Sequence, residues 1–356
     1  MPSEIAFISH PKSILHRQPF PRPHLESFDS PIRIQMAKKH LSEKGMLQTM
    51  SRVKAPKATP EDALLVHSAY LVDTVGLMSD LGSGELGEGA YASPDLLETA
   101  LIAVGGSMKA AEIVVSEEAK HAFALMRPPG HHASVSTPMG LCYFNNVAVA
   151  VKHIMKRHGI KRVSILDFDA HHGNGTSEIF YTHPGVQYIS LHEYDYENFG
   201  LGHYEEIGYG KGKGTNINIP LLEASPDVSY KTAIERVVRP VLESFKPEVI
   251  AVSAGYDPHY ADPVGNMNVD SSTFWEFGHA VKEVVDALGA KGSFWILEGG
   301  YNPLILGPCI ETSLQGLQGK RKEKLDDQVI REVEDELVDA NNQVFDKVLE
   351  TLAPFM

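Results

Sequence analysis

The chain has 356 residues, 43% hydrophobic and 22% charged, an ordinary globular composition with length enough for a large core. A formal net charge of -14 argues against a nucleic-acid partner, which calls for a basic face, and suits a cationic substrate or partner better. Cys142 and Cys309 are too few for a disulfide framework, so a reducing cytoplasm is the expected compartment; the N-terminus shows no signal-peptide pattern, and no apolar run reaches the ~20 residues of a membrane span.

The predicted elements alternate along the chain. "EIAFIS" (Glu4–Ser9) reads as the first strand. "TPEDALLVHSAYLVDTV" predicts a helix with Thr59 as N-cap and Pro60 at its first position, and "PDLLETALIAVGGSMKAAEIVV" (Pro94–Val115) begins the same way behind Ser93. "AFALM" (Ala122–Met126) is a strand, and "NNVAVAVKHIMKRHG" (Asn145–Gly159) is a helix that stops on basic residues and glycine. Strands follow at "RVSILDFD" (Arg162–Asp169), "VQYISLH" (Val186–His192) and "NINIPL" (Asn216–Leu221). A helix over 226–245 precedes the strand "EVIAVSA" (Glu248–Ala254), and a helix over 271–288 precedes "SFWILEG" (Ser293–Gly299). A last helix is expected over about 327–352. The strands are rich in Val, Ile and Phe with little alternation, as strands covered on both faces are. The expected fold is therefore α/β, a mostly parallel sheet with helices on both faces, in one domain over residues 1–356. Ligands of such sheets bind at the carboxyl ends of the strands.

Four strand ends carry unusual chemistry. "RPPGHHA" brings His131 and His132; "DFDAHHGNG" brings Asp167, Asp169, His171, His172 and Asn174; "GYDPHYADPVG" brings Asp257 and Asp262; "EGGYN" brings Tyr301. Asp169 and His171 lie two apart, so an extended segment points both the same way, and with Asp262 they form a mixed oxygen and nitrogen set that suits catalytic zinc. Two imidazoles beside such a centre suit general base and electrostatic roles, with Asp167 and Asn174 available to orient them. A phenol at Tyr301 suits donation to a developing oxyanion. Taken singly, each strand end also reads as turn capping and packing; it is the four together that point to a site.

These segments, with "GLCYFNNVAVA" and "ISLHEY" between them, occur in the order and spacing of the zinc-dependent histone deacetylase family, and the chain resembles the arm that includes class II enzymes, acetylpolyamine amidohydrolases and prokaryotic deacetylase-like amidohydrolases. The core motifs run over 122–302, and weaker likeness reaches upstream through "HLESFDSPIRI" and "SPDLLETALIAVGG". The resemblance implies an arginase/deacetylase fold with a central sheet of about eight strands. It implies zinc on Asp169, His171 and Asp262; catalysis by His131, His132 and Tyr301, with Asp167 and Asn174 behind the histidines; and a monovalent cation, potassium, near Asp167, Ser190 and the Leu191 carbonyl. It implies hydrolysis of an acylated amine, acetyl-lysine in a protein or an acetylpolyamine, with no nucleic acid or membrane involved; a homo-oligomer is compatible with it. Gly140, Leu141 and Phe199 are the expected substrate-tunnel residues. Leu141 departs from the family, most of whose members have an aromatic there, and the region around "GAYASPD" has no clear counterpart of the family's substrate-backbone aspartate. Two other readings share the motifs: a binuclear manganese ureohydrolase of the same fold, which needs more carboxylates at the metal, and an inactive acyl-lysine reader, which has no use for Tyr301 and both histidines.

Overall fold

Strands too apolar to leave either face in water need cover on both sides, and the computed structural model, which describes residues 4–17, 28–197, 200–322 and 333–356, provides it. Numbered in chain order, the strands are β1 (Ile5–Ser9), β2 (Ser51–Lys54), β3 (Glu85–Gly87), β4 (Ala90–Tyr91), β5 (His121–Leu125), β6 (Val163–Asp167), β7 (Val186–Glu193), β8 (Asn216–Leu221), β9 (Val249–Ala254) and β10 (Ser293–Leu297). Eight of them form one sheet in the order β2-β1-β5-β10-β9-β6-β7-β8, every pairing parallel. β3 and β4 make a separate antiparallel hairpin.

Successive residues serve opposite faces. Leu166, Val252 and Trp295 join the core packed under helices Pro31–Glu43, Ser271–Leu288, Leu306–Leu317 and Asp335–Leu352. Their neighbours Ile165, Ala251 and Ile296 join the core beneath helices Leu96–Val115 and Asn146–His158. A third cluster, with Leu71, Leu101 and Phe144, lies outside the second layer.

All seven expected strands are present. Two of them stop two residues early, at Asp167 and Leu297, because the residues beyond turn off the sheet to form the site. β2 escaped the sequence reading because "SRVK" is a mostly exposed edge strand with little apolar signal. The helix expected from Thr59 is two. Asp62 closes the capping box on Thr59, the first piece ends at Ala63, and a second, capped by Ser68, runs Ala69–Leu81. His67 causes the break: it is buried, its Nδ1 donates to the Ser134 carbonyl (2.8 Å), and its Nε2 accepts the Asn145 N–H (2.8 Å). The expected 226–245 helix is interrupted by a π turn over Ile234–Val238, which accommodates Pro240 and its missing N–H. The C-terminal helix begins at Asp335; residues 323–332, where its expected start falls, lie outside the described residues. No helix among the described residues is long and apolar enough to cross a membrane.

The strand order puts β5, β10, β9 and β6 side by side. These are the four strands whose carboxyl ends carry the unusual residues, so segments more than a hundred residues apart in sequence meet on one rim.

Candidate active site

Asp167 ends β6, paired in register with Ser253 of β9 and Ser190 of β7. The chain then leaves the sheet. Asp169, His171 and Asp257 each offer one ligand atom, and the three atoms lie within 4.8 Å of one another. His171 Nδ1 sits 3.0 Å from Asp169 Oδ1 and 3.1 Å from Asp257 Oδ2. The second oxygens are held by the backbone: Asp169 Oδ2 accepts the Gly299 N–H (2.8 Å), and Asp257 Oδ1 accepts the Ala170 N–H (2.8 Å). Only glycine fits beside them. A Cβ at Gly255 would stand 2.2 Å from Asp169 Oδ2, and one at Gly299 would stand 2.2 Å from Asp257 Oδ2. Burial and the adjacent Asp169 charge push Asp257 up, while His131 and His171 hold Asp169 down against its own burial. Two buried carboxylates and one imidazole converging on a point, with glycines clearing the space, fit a divalent transition metal with mixed oxygen and nitrogen ligands.

Asp262, expected as the third ligand, is engaged by backbone donors. Its Oδ2 accepts the N–H groups of Tyr301 (2.6 Å) and Asn302 (3.2 Å), and its Oδ1 accepts that of Val264 (3.0 Å). Both aspartates lie in the loop after β9. Asp257 comes three residues after the strand and still points over the rim, whereas Asp262 comes after a further turn and braces the segment that carries Tyr301.

The tandem histidines lie beside the metal group. His131 Nδ1 donates to Asp167 Oδ2 (3.1 Å), and its Nε2 is 3.8 Å from Asp169 Oδ2. His132 Nδ1 donates to Asn174 Oδ1 (2.7 Å). Their rings are 4.1 Å apart, centre to centre. The partners set opposite protonation. Burial disfavours the charge on His131, but the Asp169 and Asp167 carboxylates override it and raise the imidazole to about 10. His132 has burial and the charges of His131 and His171 against it and only a neutral amide behind it, and it falls to about 3. Asp167 is further tied by the Tyr188 hydroxyl (3.0 Å). Tyr301 is raised well above the usual phenol range by burial and by the Asp169 and Asp257 charges, and the Arg33 guanidinium lies 5.3 Å over its ring.

Of the expected cation residues, Ser190 is fully buried and engages His192 Nδ1 (2.8 Å), and Leu191 follows it in β7. Gly140 and Leu141 are the two central residues of a tight turn between Met139 and Cys142, with φ of 54° and 67°, and the Gly140 N–H donates to the Glu88 carbonyl in the β3–β4 hairpin (2.8 Å). Positive φ at both positions is the type I′ signature, which a leucine adopts under strain. Phe199 lies outside the described residues.

The sequence reading passed over a buried ion cluster behind the site. Arg127 and Arg33 both donate to Asp29 Oδ1 (2.9 Å each), and Arg33 continues to the carbonyls of Glu298 (2.9 Å) and Gly300 (3.2 Å). Nothing in a single sequence pairs residues 29, 33 and 127.

A model of the histone deacetylase domain matches residues 27–317. A histone deacetylase-like amidohydrolase of Pseudomonas aeruginosa is 36% identical over 293 residues, 82% of this chain and 77% of that protein. The chloroplastic histone deacetylase 14 of Arabidopsis thaliana is 38% identical over 274 residues, 74% of this chain and 64% of that protein, so the match spans just under two thirds of that relative. The crystal structure of the HDA15 HD domain superposes with a TM-score of 0.89 at 29% identity, covering 100% of this chain and 96% of the other.

The two aspartates of the β9 loop are compared in a metal-binding measurement. Asp262→Ala, the ligand expected from the sequence, and Asp257→Ala, which groups with Asp169 and His171, should each weaken metal binding to the stripped protein, by on the order of 100-fold for a direct ligand. Equilibrium dialysis that found either variant within about tenfold of wild type would remove that aspartate from the site.

Proposed function

Since the chain belongs to the histone deacetylase family and has its arginase/deacetylase fold, we propose that it is a zinc-dependent amidohydrolase that removes an acyl group, acetyl foremost, from an acylated amine such as acetyl-lysine or an acetylpolyamine. Membership supports a deacetylase or amidohydrolase activity; the metal, the substrate and the residue roles are our reading. The observation that carries it is the convergence of Asp169, His171 and Asp257 beside two histidines oriented through Nδ1 by unlike partners.

Zinc held by Asp169 and His171 with an aspartate of the β9 loop, Asp262 as the sequence implies or Asp257 as the grouping of side chains suggests, would supply a Lewis acid for the amide carbonyl and lower the pKa of a water. His132, neutral and with Nδ1 committed to Asn174, keeps Nε2 free to accept the water proton. His131, kept cationic by Asp167 and Asp169, stabilises negative charge nearby and is placed to protonate the leaving nitrogen. The Tyr301 hydroxyl donates to the developing oxyanion, and Asp262 holds the Tyr301 backbone. Water contributes hydroxide to the acyl carbon and a proton to the amine as the C–N bond breaks, giving a carboxylate and an amine. We also read residues 1–356 as one deacetylase domain: a single sheet takes strands from Ile5 to Leu297, and the last helix packs on β8. A reducing compartment such as the cytoplasm suits the two buried cysteines, Cys142 and Cys309.

Three measurements check this reading. Tyr301→Phe removes the oxyanion donor alone and should lower kcat by roughly 100-fold, with zinc content and thermal stability unchanged; wild-type turnover of acetyl-lysine and acetylpolyamine substrates in this variant would make the phenol structural. A structural potassium near Asp167, Ser190 and the Leu191 carbonyl should make thermal stability rise with potassium at constant ionic strength, and equal melting in potassium and tetramethylammonium salts would remove it. Leu141 offers no flat face to a methylene stem, so Leu141→Phe should raise kcat/KM for acetyl-lysine by up to about tenfold and lower it for bulkier acyl groups. Parallel changes on both substrate sets would show that Leu141 does not set selectivity.

A further inference from the structure

Glu298 is a fully buried carboxyl with no part in the reaction above. It follows β10 directly, and its polar atoms are all engaged. Its N–H donates to the Ala254 carbonyl (3.0 Å), and its own carbonyl accepts Arg33 Nη2 (2.9 Å). Oε1 accepts the Ser253 hydroxyl (3.2 Å). Oε2 accepts two backbone N–H groups, those of Gly130 (2.6 Å) and His131 (3.1 Å). One side chain just past β10 thus reaches across to the end of β9 and to the loop after β5.

Those two N–H groups need it. β5 ends at Leu125, and Pro128 and Pro129 then take the chain off the sheet with no N–H of their own. Gly130 and His131 are the next donors, both buried and beyond the reach of any strand partner. An aliphatic side chain at position 298 would leave both unpaired and free the segment to shift.

We propose that Glu298 is a positioning residue for the tandem histidines: its carboxyl clamps the backbone from which His131 and His132 project, and it does so as a hydrogen-bond acceptor rather than as a charge. This rests on the reading that the two histidines move the protons of amide hydrolysis. The geometry separates acceptor from charge. Oε2 does the clamping, while Oε1 meets a hydroxyl that can donate or accept. A glutamine can therefore place its carbonyl at Oε2 and its NH2 on Ser253, keeping every bond without the charge. Burial, with the Asp167 and Asp169 charges, pushes Glu298 up to about 7 against the pull of His131 and the Gly130 N–H, in keeping with an acceptor role that needs no charge.

The test compares wild type, Glu298→Gln, Glu298→Ala and Glu298→Asp as zinc-loaded full-length proteins on an acetyl-lysine peptide. Zinc content, kcat, KM and amide hydrogen exchange over 128–133 are measured together. Alanine should lower kcat by roughly 30- to 100-fold, the scale of a small misplacement of catalytic groups, with KM within about threefold and zinc content unchanged, and it should speed exchange at Gly130 and His131. Glutamine should keep kcat within about threefold and exchange slow. Aspartate, charged but one methylene short, should behave like alanine and carries the test if alanine does not fold. Wild-type kcat in alanine or aspartate overturns the clamp, and so does a glutamine variant as impaired as alanine. Wild-type protein inactive on every acylated amine would instead sink the proposed function, and the exchange data would still decide whether Glu298 holds this backbone.

Discussion

Four carboxyl groups, those of Asp167, Asp169, Asp257 and Glu298, lie at the ends of three adjoining strands, β6, β9 and β10, with at most 1% of their surface exposed. Concentrating that much potential negative charge in a water-excluded space is unsustainable unless each oxygen finds a donor or a cation. Much of the local architecture answers that constraint. Backbone N–H groups of Gly130, His131, Asp169, Ala170, His171 and Gly299 point at these oxygens instead of at a neighbouring strand. β6 and β10 end where they do because the next residues must turn inward to supply those donors. What remains after the backbone has been counted is Asp169 and Asp257 facing one imidazole, and that remainder fits a metal.

Behind the rim, the same problem is solved with fixed cations. Asp29 is buried between Arg127 and Arg33, which lower its carboxyl in spite of its burial. The bonds left over on the two guanidiniums reach the carbonyls of Ser13, His16, Glu298 and Gly300. A buried ion cluster of this kind contributes little net stability, but removing one partner strands the others. Its use here is geometric. It ties the N-terminal segment and the first long helix to the turn that displays Tyr301. The tandem histidines are set apart by what stands behind each ring: a carboxylate raises His131, while His132, with only an amide behind it, is lowered by burial and the neighbouring imidazoles.

Much of this was legible in the amino-acid order. Unalternating apolar runs marked seven of the eight strands of the sheet, and the strand-to-helix rhythm implied a parallel sheet with its site at the carboxyl ends. The residues following "AFALM", "RVSIL", "EVIAVSA" and "SFWIL" were recognisable because ionisable groups rarely crowd the end of a buried strand. Spacing of two could pair Asp169 with His171, since both lie on one short segment whose direction is local. The tandem histidines and their partners Asp167 and Asn174 were legible for the same reason of motif and order.

Other features were decided only by the tertiary structure. Asp257 and Asp262 sit five residues apart in an irregular loop, where no periodicity says which faces the rim; in the structure Gly299 packs against the Asp257 carboxylate, and the N–H groups of the Tyr301 turn engage Asp262. His67 breaks a helix that local propensity would continue, because its ring is bonded at both nitrogens to segments some seventy residues away. Glu298 reads in sequence as one acidic residue before two glycines, and its role appears only when β10 lies between β5 and β9. The sequence by itself determined which residues are apolar enough to make the sheet and which chemistry stands at each strand's end, because both follow from near neighbours. The strand order, and with it every contact between those ends, depends on which distant segments can share a core, a property of the whole chain that no stretch of it carries alone.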